Sequence, residues 1–103
     1  MTDQKTYLYK IQPVRNELLT EGGTPEEEKS IGEHFLYLKE LTEKNIISLA
    51  GRTLNTDPSS FGIVIFNADD PEKAKEIMEE DPAVKAGVFT AELFPFAVAL
   101  KSD

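Results

Sequence analysis

Apolar residues fall into four short runs separated by two stretches with helical spacing. Tyr7-Leu8-Tyr9-Lys10-Ile11-Gln12 is rich in aromatic and branched residues and is stopped by Pro13, which predicts a first strand. A polar connection holding Arg15, Gly22 and Gly23 follows. Thr24 is then a good helix N-cap, Pro25 suits the first helical position, and Glu27 completes a capping box. The acidic run Glu26-Glu27-Glu28 suits the positive end of the helix dipole. At about 100° per residue, Ile31, Phe35, Leu38 and Leu41 share one face, and Lys29, Glu33, Lys39, Glu40 and Glu43 lie opposite. Lys44-Asn45 ends the helix, with Asn tolerating the left-handed conformation.

Ile46 to Ala50 predicts a second strand closed by Gly51, and the loop Asn55 to Ser60 is dense in turn formers. Phe61 to Phe66 predicts a third strand. Asp70-Pro71 caps a second helix carrying Ala74, Ile77 and Met78, which ends near Asp81-Pro82. A fourth strand runs from Val88 through Leu93, with Phe96 to Leu100 as a continuation past Pro95.

The order β-α-β-β-α-β predicts an α+β, ferredoxin-like fold: a four-stranded antiparallel sheet with two helices on one face. The other face of such a sheet normally carries polar residues. Here the third strand is apolar on both parities, with Phe61, Ile63 and Ile65 on one and Val64 and Phe66 on the other. The fourth behaves likewise, with Val88, Phe94 and Phe96 against Phe89, Ala91 and Leu93. Leaving such side chains wet forgoes roughly 1.5–3 kcal/mol each. A homodimer that joins sheet face to sheet face is the expected remedy.

With 103 residues and 11.5 kDa, the chain has room for a single domain, residues 1–103. A net charge of −8, from 19 acidic and 11 basic residues, argues against nucleic acid and anionic membrane surfaces as partners. Without Cys there is no disulfide, thiol catalysis or thiolate metal site, and a single His excludes a His-cluster metal site within one chain. No run of apolar residues reaches the length of a membrane span or signal segment, so a cytoplasmic protein is expected. No Gly-rich phosphate loop or dinucleotide fingerprint is present, and no cofactor is expected.

The solitary His34 lies three residues after Ile31 and four before Leu38, within the apolar stripe rather than on the charged face. It reads either as a core histidine bonded to a backbone carbonyl or as a general acid/base in a cleft between helix and sheet. Asp81 is its best partner: of three Asp-Pro pairs, Asp70-Pro71 is a helix cap and Asp57-Pro58 a surface turn. Asp81 also suits a cap for the turn Pro82-Ala83-Val84. A carboxylate against the imidazole would orient its tautomer. Arg15 follows the first strand and Arg52 the second, in Ala50-Gly51-Arg52-Thr53. Strand ends of this kind can border one cleft with the helix, where an Arg would clamp an anionic or phenolate substrate; both also suit plain surface positions. Gly51 either permits close backbone approach or ends a strand. Tyr7, Tyr9 and Tyr37 read as packing residues with wet hydroxyls.

Several stretches resemble the YciI-related (YCII) family of small α+β proteins. They are Glu33 to Leu38, Leu49 to Thr53, Phe61 to Phe66, Glu80 to Gly87 and Ala91 to Phe96. Asn45 stands where many members carry Gly, and the connection from Arg15 to Thr24 is long beside the shortest members. The resemblance implies a dimeric α/β barrel and a His–Asp dyad at His34 and Asp81. One related member is a dehydrochlorinase acting on a chlorinated hydroxyquinol, and the fold resembles muconolactone isomerase and cofactor-free monooxygenases. The expected function is a cofactor-independent lyase or isomerase moving a proton on a small cyclic or phenolic substrate. The alternatives are a non-catalytic dimer that binds a small metabolite or assists a larger enzyme, and a structural dimer whose His–Asp pair only ties helix to turn.

Overall fold

The computed structural model describes residues 5–102; Met1 to Gln4, part of the polar N-terminal stretch, and Asp103 lie outside them. Strands run over Lys5–Pro13 (β1), Ile47–Arg52 (β2), Gly62–Ala68 (β3) and Phe89–Pro95 (β4). Two long helices span Pro25–Glu43 (α2) and Pro71–Glu79 (α3). Two single turns complete the set, Glu17–Thr20 (α1) and Pro82–Lys85 (α4). All pairings are antiparallel and the order is β2-β3-β1-β4, the ferredoxin-like α+β arrangement. Among the described residues no helix is long and apolar enough to cross a membrane.

The helix ends follow their local chemistry. Thr24 Oγ1 accepts the Glu27 amide at 3.2 Å while the Glu27 carboxylate accepts the Thr24 amide at 2.8 Å, a complete capping box. Asn45 takes φ 62° just past α2, the left-handed turn that lets the chain enter β2. Asp70 caps α3 by accepting the Lys73 amide. The segment read as plain connection after β1 contains α1, and the turn after α3 is a short helix in its own right. Phe96 donates its amide to Thr6 O, but no strand continues from there to Leu100. Pro95 ends the ladder, and the tail leaves the sheet with Leu100 exposed.

Register sorts the two sheet faces. Tyr7, Tyr9 and Ile11 of β1 and Val64, Phe66 and Ala68 of β3 point under the helices and form the core with Ile47, Ala74 and Met78. On the opposite face, Leu8 stands across from Ile65 and Phe94, and Ile65 across from Leu49. An apolar row therefore crosses all four strands there, with Leu49 54% and Phe94 43% exposed. The Lys10 ammonium lies over the Phe61 ring beside it, at 5.4 Å.

Strand β2 carries a register shift between Ile47 and Leu49 that leaves Ser48 as an extra residue. Ile47 faces the helices opposite Phe66, whereas beyond the shift it is Ala50 and Arg52, opposite Val64 and Gly62, that share that side. Simple alternation from Ile47 would have placed Leu49 and Gly51 there. The bulge turns the Arg52 position toward the helix side of the sheet.

Candidate active site

Helix α2 packs on α4 and on β2, and this contact joins residues far apart in the chain. His34 Nδ1 lies 2.8 Å from both carboxylate oxygens of Asp81, across 47 positions of sequence. Asp81 is fully buried and the His34 side chain is 12% exposed. The same carboxylate accepts the Ala83 amide on Oδ1 at 3.0 Å and the Tyr9 hydroxyl on Oδ2 at 2.7 Å. Asp81 is thus both the cap of α4 and a hydrogen-bond partner of His34. Both hydrogen bonds from Tyr9 and Ala83 are donated to it. A carboxylate only accepts, so the Nδ1 atom carries a hydrogen. Nε2 is left with no protein partner among the described residues, and it is not a buried orphan either. Phe89 meets the imidazole edge to face at 5.2 Å and holds its plane.

Two of the three hydroxyl groups read as wet, those of Tyr9 and Tyr37, are instead bonded inside the protein. Tyr9 is fully buried, and burial together with the neighbouring Asp81 carboxylate holds its phenol far above the usual range. Tyr37 donates to Ile77 O at 2.8 Å, and burial, then the charges of Asp81 and Glu80, push it up to about 12. Tyr9 is the member of this site that sequence reasoning missed. The usable signal was its place in β1: a phenol between inward-pointing Tyr7 and Ile11 must find a polar partner in the core.

His34 lines a cleft of about 600 Å³ between α2 and the β2–β3 end of the sheet. Its walls are mainly apolar, from Ile31, Phe35 and Leu38 of α2, Ile11 and Val64 of the sheet, and Phe89. Ile31 and Leu38 are only half-buried and Phe35 is 65% exposed, so the stripe expected to be core is instead an open cleft wall at Phe35.

Of the two arginines, Arg52 lines this cleft and Arg15 does not. Arg15 forks onto Glu27 instead, with Nε to Oε2 at 3.0 Å and Nη2 to Oε1 at 2.5 Å. That pairing and the Thr24 amide hold the Glu27 carboxyl at about 2. Arg15 therefore fastens the β1–α2 connection to the first turn of α2. Arg52 has no ion-pair partner among the described residues, in a chain that is otherwise strongly acidic. Gly51 also lines the cleft, and a Cβ there would meet nothing within 4 Å. The close approach belongs to Gly62, where a Cβ would sit 3.0 Å from Ile11 Cγ1 and 3.2 Å from the Gly51 carbonyl. Among the described residues no group of three or more His, Asp or Glu side chains is placed to hold a metal ion.

Fold and site together define a small ferredoxin-like α+β protein with a histidine–carboxylate pair beside an apolar cleft. The chain belongs to the YCII-related domain family, whose model matches residues 6–97. Among solved structures it is similar to 5-chloro-2-hydroxyhydroquinone dehydrochlorinase from Burkholderia phenoliruptrix, in complex with 2,5-dihydroxybenzoquinone. The two share 20% identity and a TM-score of 0.65, over 89% of this chain and 93% of that one. It is also similar to an uncharacterized protein from Thermotoga maritima, with 11% identity and a TM-score of 0.58 over 92% and 100% of the two chains. At these identities the likeness is one of fold. No curated protein is significantly similar in sequence.

Proposed function

We propose that this protein is a cofactor-independent enzyme of the lyase or isomerase type, with His34 as general acid/base and Asp81 as its orienting partner. The observation that carries this reading is the direction of the imidazole. Nδ1 is committed to a buried carboxylate, and Nε2 is the atom left for the cleft. Such a ring takes a proton on Nε2, and Asp81 stabilises the imidazolium that results. A substrate C–H or O–H would lose its proton to Nε2, and its bonding pair would form the new double bond as a leaving group departs or the double bond migrates. Returning the proton at another atom completes an isomerisation; releasing it with the leaving anion completes an elimination. Arg52 is the group assigned to the negative charge that develops on a substrate oxygen. Arg15 has no part in this, because Glu27 already holds its guanidinium.

The apolar walls and the size of the cleft suit a small cyclic or phenolic substrate, and the dehydrochlorinase of similar fold acts on one. A homodimer through the open sheet face belongs to the same reading, because the row Leu49, Ile65, Leu8 and Phe94 otherwise meets water. The test is turnover of a panel of chlorinated hydroxyquinols, phenols and small lactones, followed by absorbance and chloride release. His34→Ala should lose roughly 10²–10⁴-fold in rate with its fold intact. Equal turnover by wild type and His34→Ala would remove the proposal. Saturable binding of panel members without turnover in either protein would favour a metabolite-binding role.

A further inference from the structure

Tyr9 takes no part in the proton transfer just described, yet it is built into the pair that performs it. It sits in the middle of β1, a central strand, with Phe66 meeting its ring edge-on at 5.6 Å. Phenylalanine would fill the same space without leaving a hydroxyl to satisfy. The hydroxyl instead reaches Asp81 Oδ2 at 2.7 Å, across 72 positions of sequence. With Ala83 N on Oδ1, the carboxylate is gripped at both oxygens, and its plane cannot turn without breaking one of the two bonds. The side left over is the one that meets His34 Nδ1.

We propose that Tyr9 is a positioning residue for the His34–Asp81 pair: its hydroxyl orients the Asp81 carboxylate and draws part of the negative charge away from the bond to Nδ1. This rests on the acid/base reading of His34 for its purpose, but its geometry stands without it. Donors to one carboxylate compete for the same charge. A weaker donor at position 9 therefore strengthens the His34 Nδ1–H bond, and a stronger donor weakens it.

The test is the proton resonance of His34 Nδ1–H in the full chain, read through the ¹⁵N-labelled ring in wild type and two variants. Tyr9→Phe removes the donor and should move this resonance downfield. Difluorotyrosine introduced only at position 9 is a more acidic phenol and a stronger donor, and should move it upfield by a smaller amount. A graded order from Phe through Tyr to difluorotyrosine supports the proposal. A resonance that stays in place across the series, or that moves in the same direction in both variants, overturns it. Difluorotyrosine keeps the ring and hydroxyl, so the result is decisive even where Tyr9→Phe does not fold. None of these readings depends on turnover: failure of the enzymatic proposal would leave the graded shift intact, and failure of the shift would leave catalysis by His34 standing.

Discussion

Replacing Asp81 by alanine would remove the acceptor on which three elements converge, and the cost can be worked from its bonds. The Ala83 amide loses its cap, a change that typically costs about 1 kcal/mol. The buried Tyr9 hydroxyl loses its acceptor, at about 1–3 kcal/mol for an unsatisfied buried group. His34 adds little, because its ring can change tautomer and carry its hydrogen on Nε2 at the cleft. Asp81→Ala should thus destabilise the fold by roughly 2–4 kcal/mol, a large share of the ~5–15 kcal/mol of an ordinary domain. Asp81→Asn preserves an oxygen for Ala83 and offers an amide N–H to the Tyr9 oxygen, so its cost should stay near ~1 kcal/mol. Urea unfolding followed by circular dichroism measures both, at one fixed protomer concentration because association would contribute to stability. An Asp81→Ala midpoint within experimental error of wild type would show that these bonds do not hold the fold. An Asp81→Asn variant as unstable as Asp81→Ala would show that the convergence of donors is not what matters.

Two further outcomes follow from other parts of the molecule. Glu27 is held at about 2, below its ordinary 4.5, so its contribution is present at neutral pH and lost as pH falls through that interval; Glu27→Gln should be less stable than wild type at pH 6 and equal to it near pH 2, by thermal unfolding at low salt. Ile65 lies in the apolar row on the open sheet face, so sedimentation velocity should show a wild-type dimer and an Ile65→Asp monomer with unchanged circular dichroism; a monomeric wild type would count against the sheet-face interface.

Much of the architecture could be read from local chemistry. The caps at Thr24 and Asp70, the left-handed Asn45 and the punctuation by Pro13, Pro71 and Pro82 each act within a few residues, and each sits where its spacing predicts. His34 was placed on the inward side of α2 by period alone, and Asp81 by its proline and by family resemblance. What escaped depends on contacts across the fold. The bulge at Ser48 has no turn residue to announce it, and it alone decides that Arg52 rather than Leu49 faces the helices. Arg15 found Glu27, a capping residue with a spare carboxylate oxygen, which no strand-end argument anticipates. Phe35 obeys the helical period but stands 65% exposed on the cleft wall rather than in the core. The Tyr9 hydroxyl looks like surface chemistry until β1 is known to be central and Asp81 to be buried beside it.

On the acid/base reading, Asp81 fixes the tautomer of His34 so that a bare Nε2 faces the cleft. Because His34 is the single histidine of the chain, ¹⁵N spectra of the histidine ring report on it alone. In the neutral ring of wild type, Nδ1 should resonate as a protonated nitrogen and Nε2 as an unprotonated one. Asp81→Ala should revert to the Nε2–H form that free imidazole side chains prefer. A wild-type ring already protonated on Nε2, or one indifferent to the loss of Asp81, would mean that Asp81 does not set the tautomer.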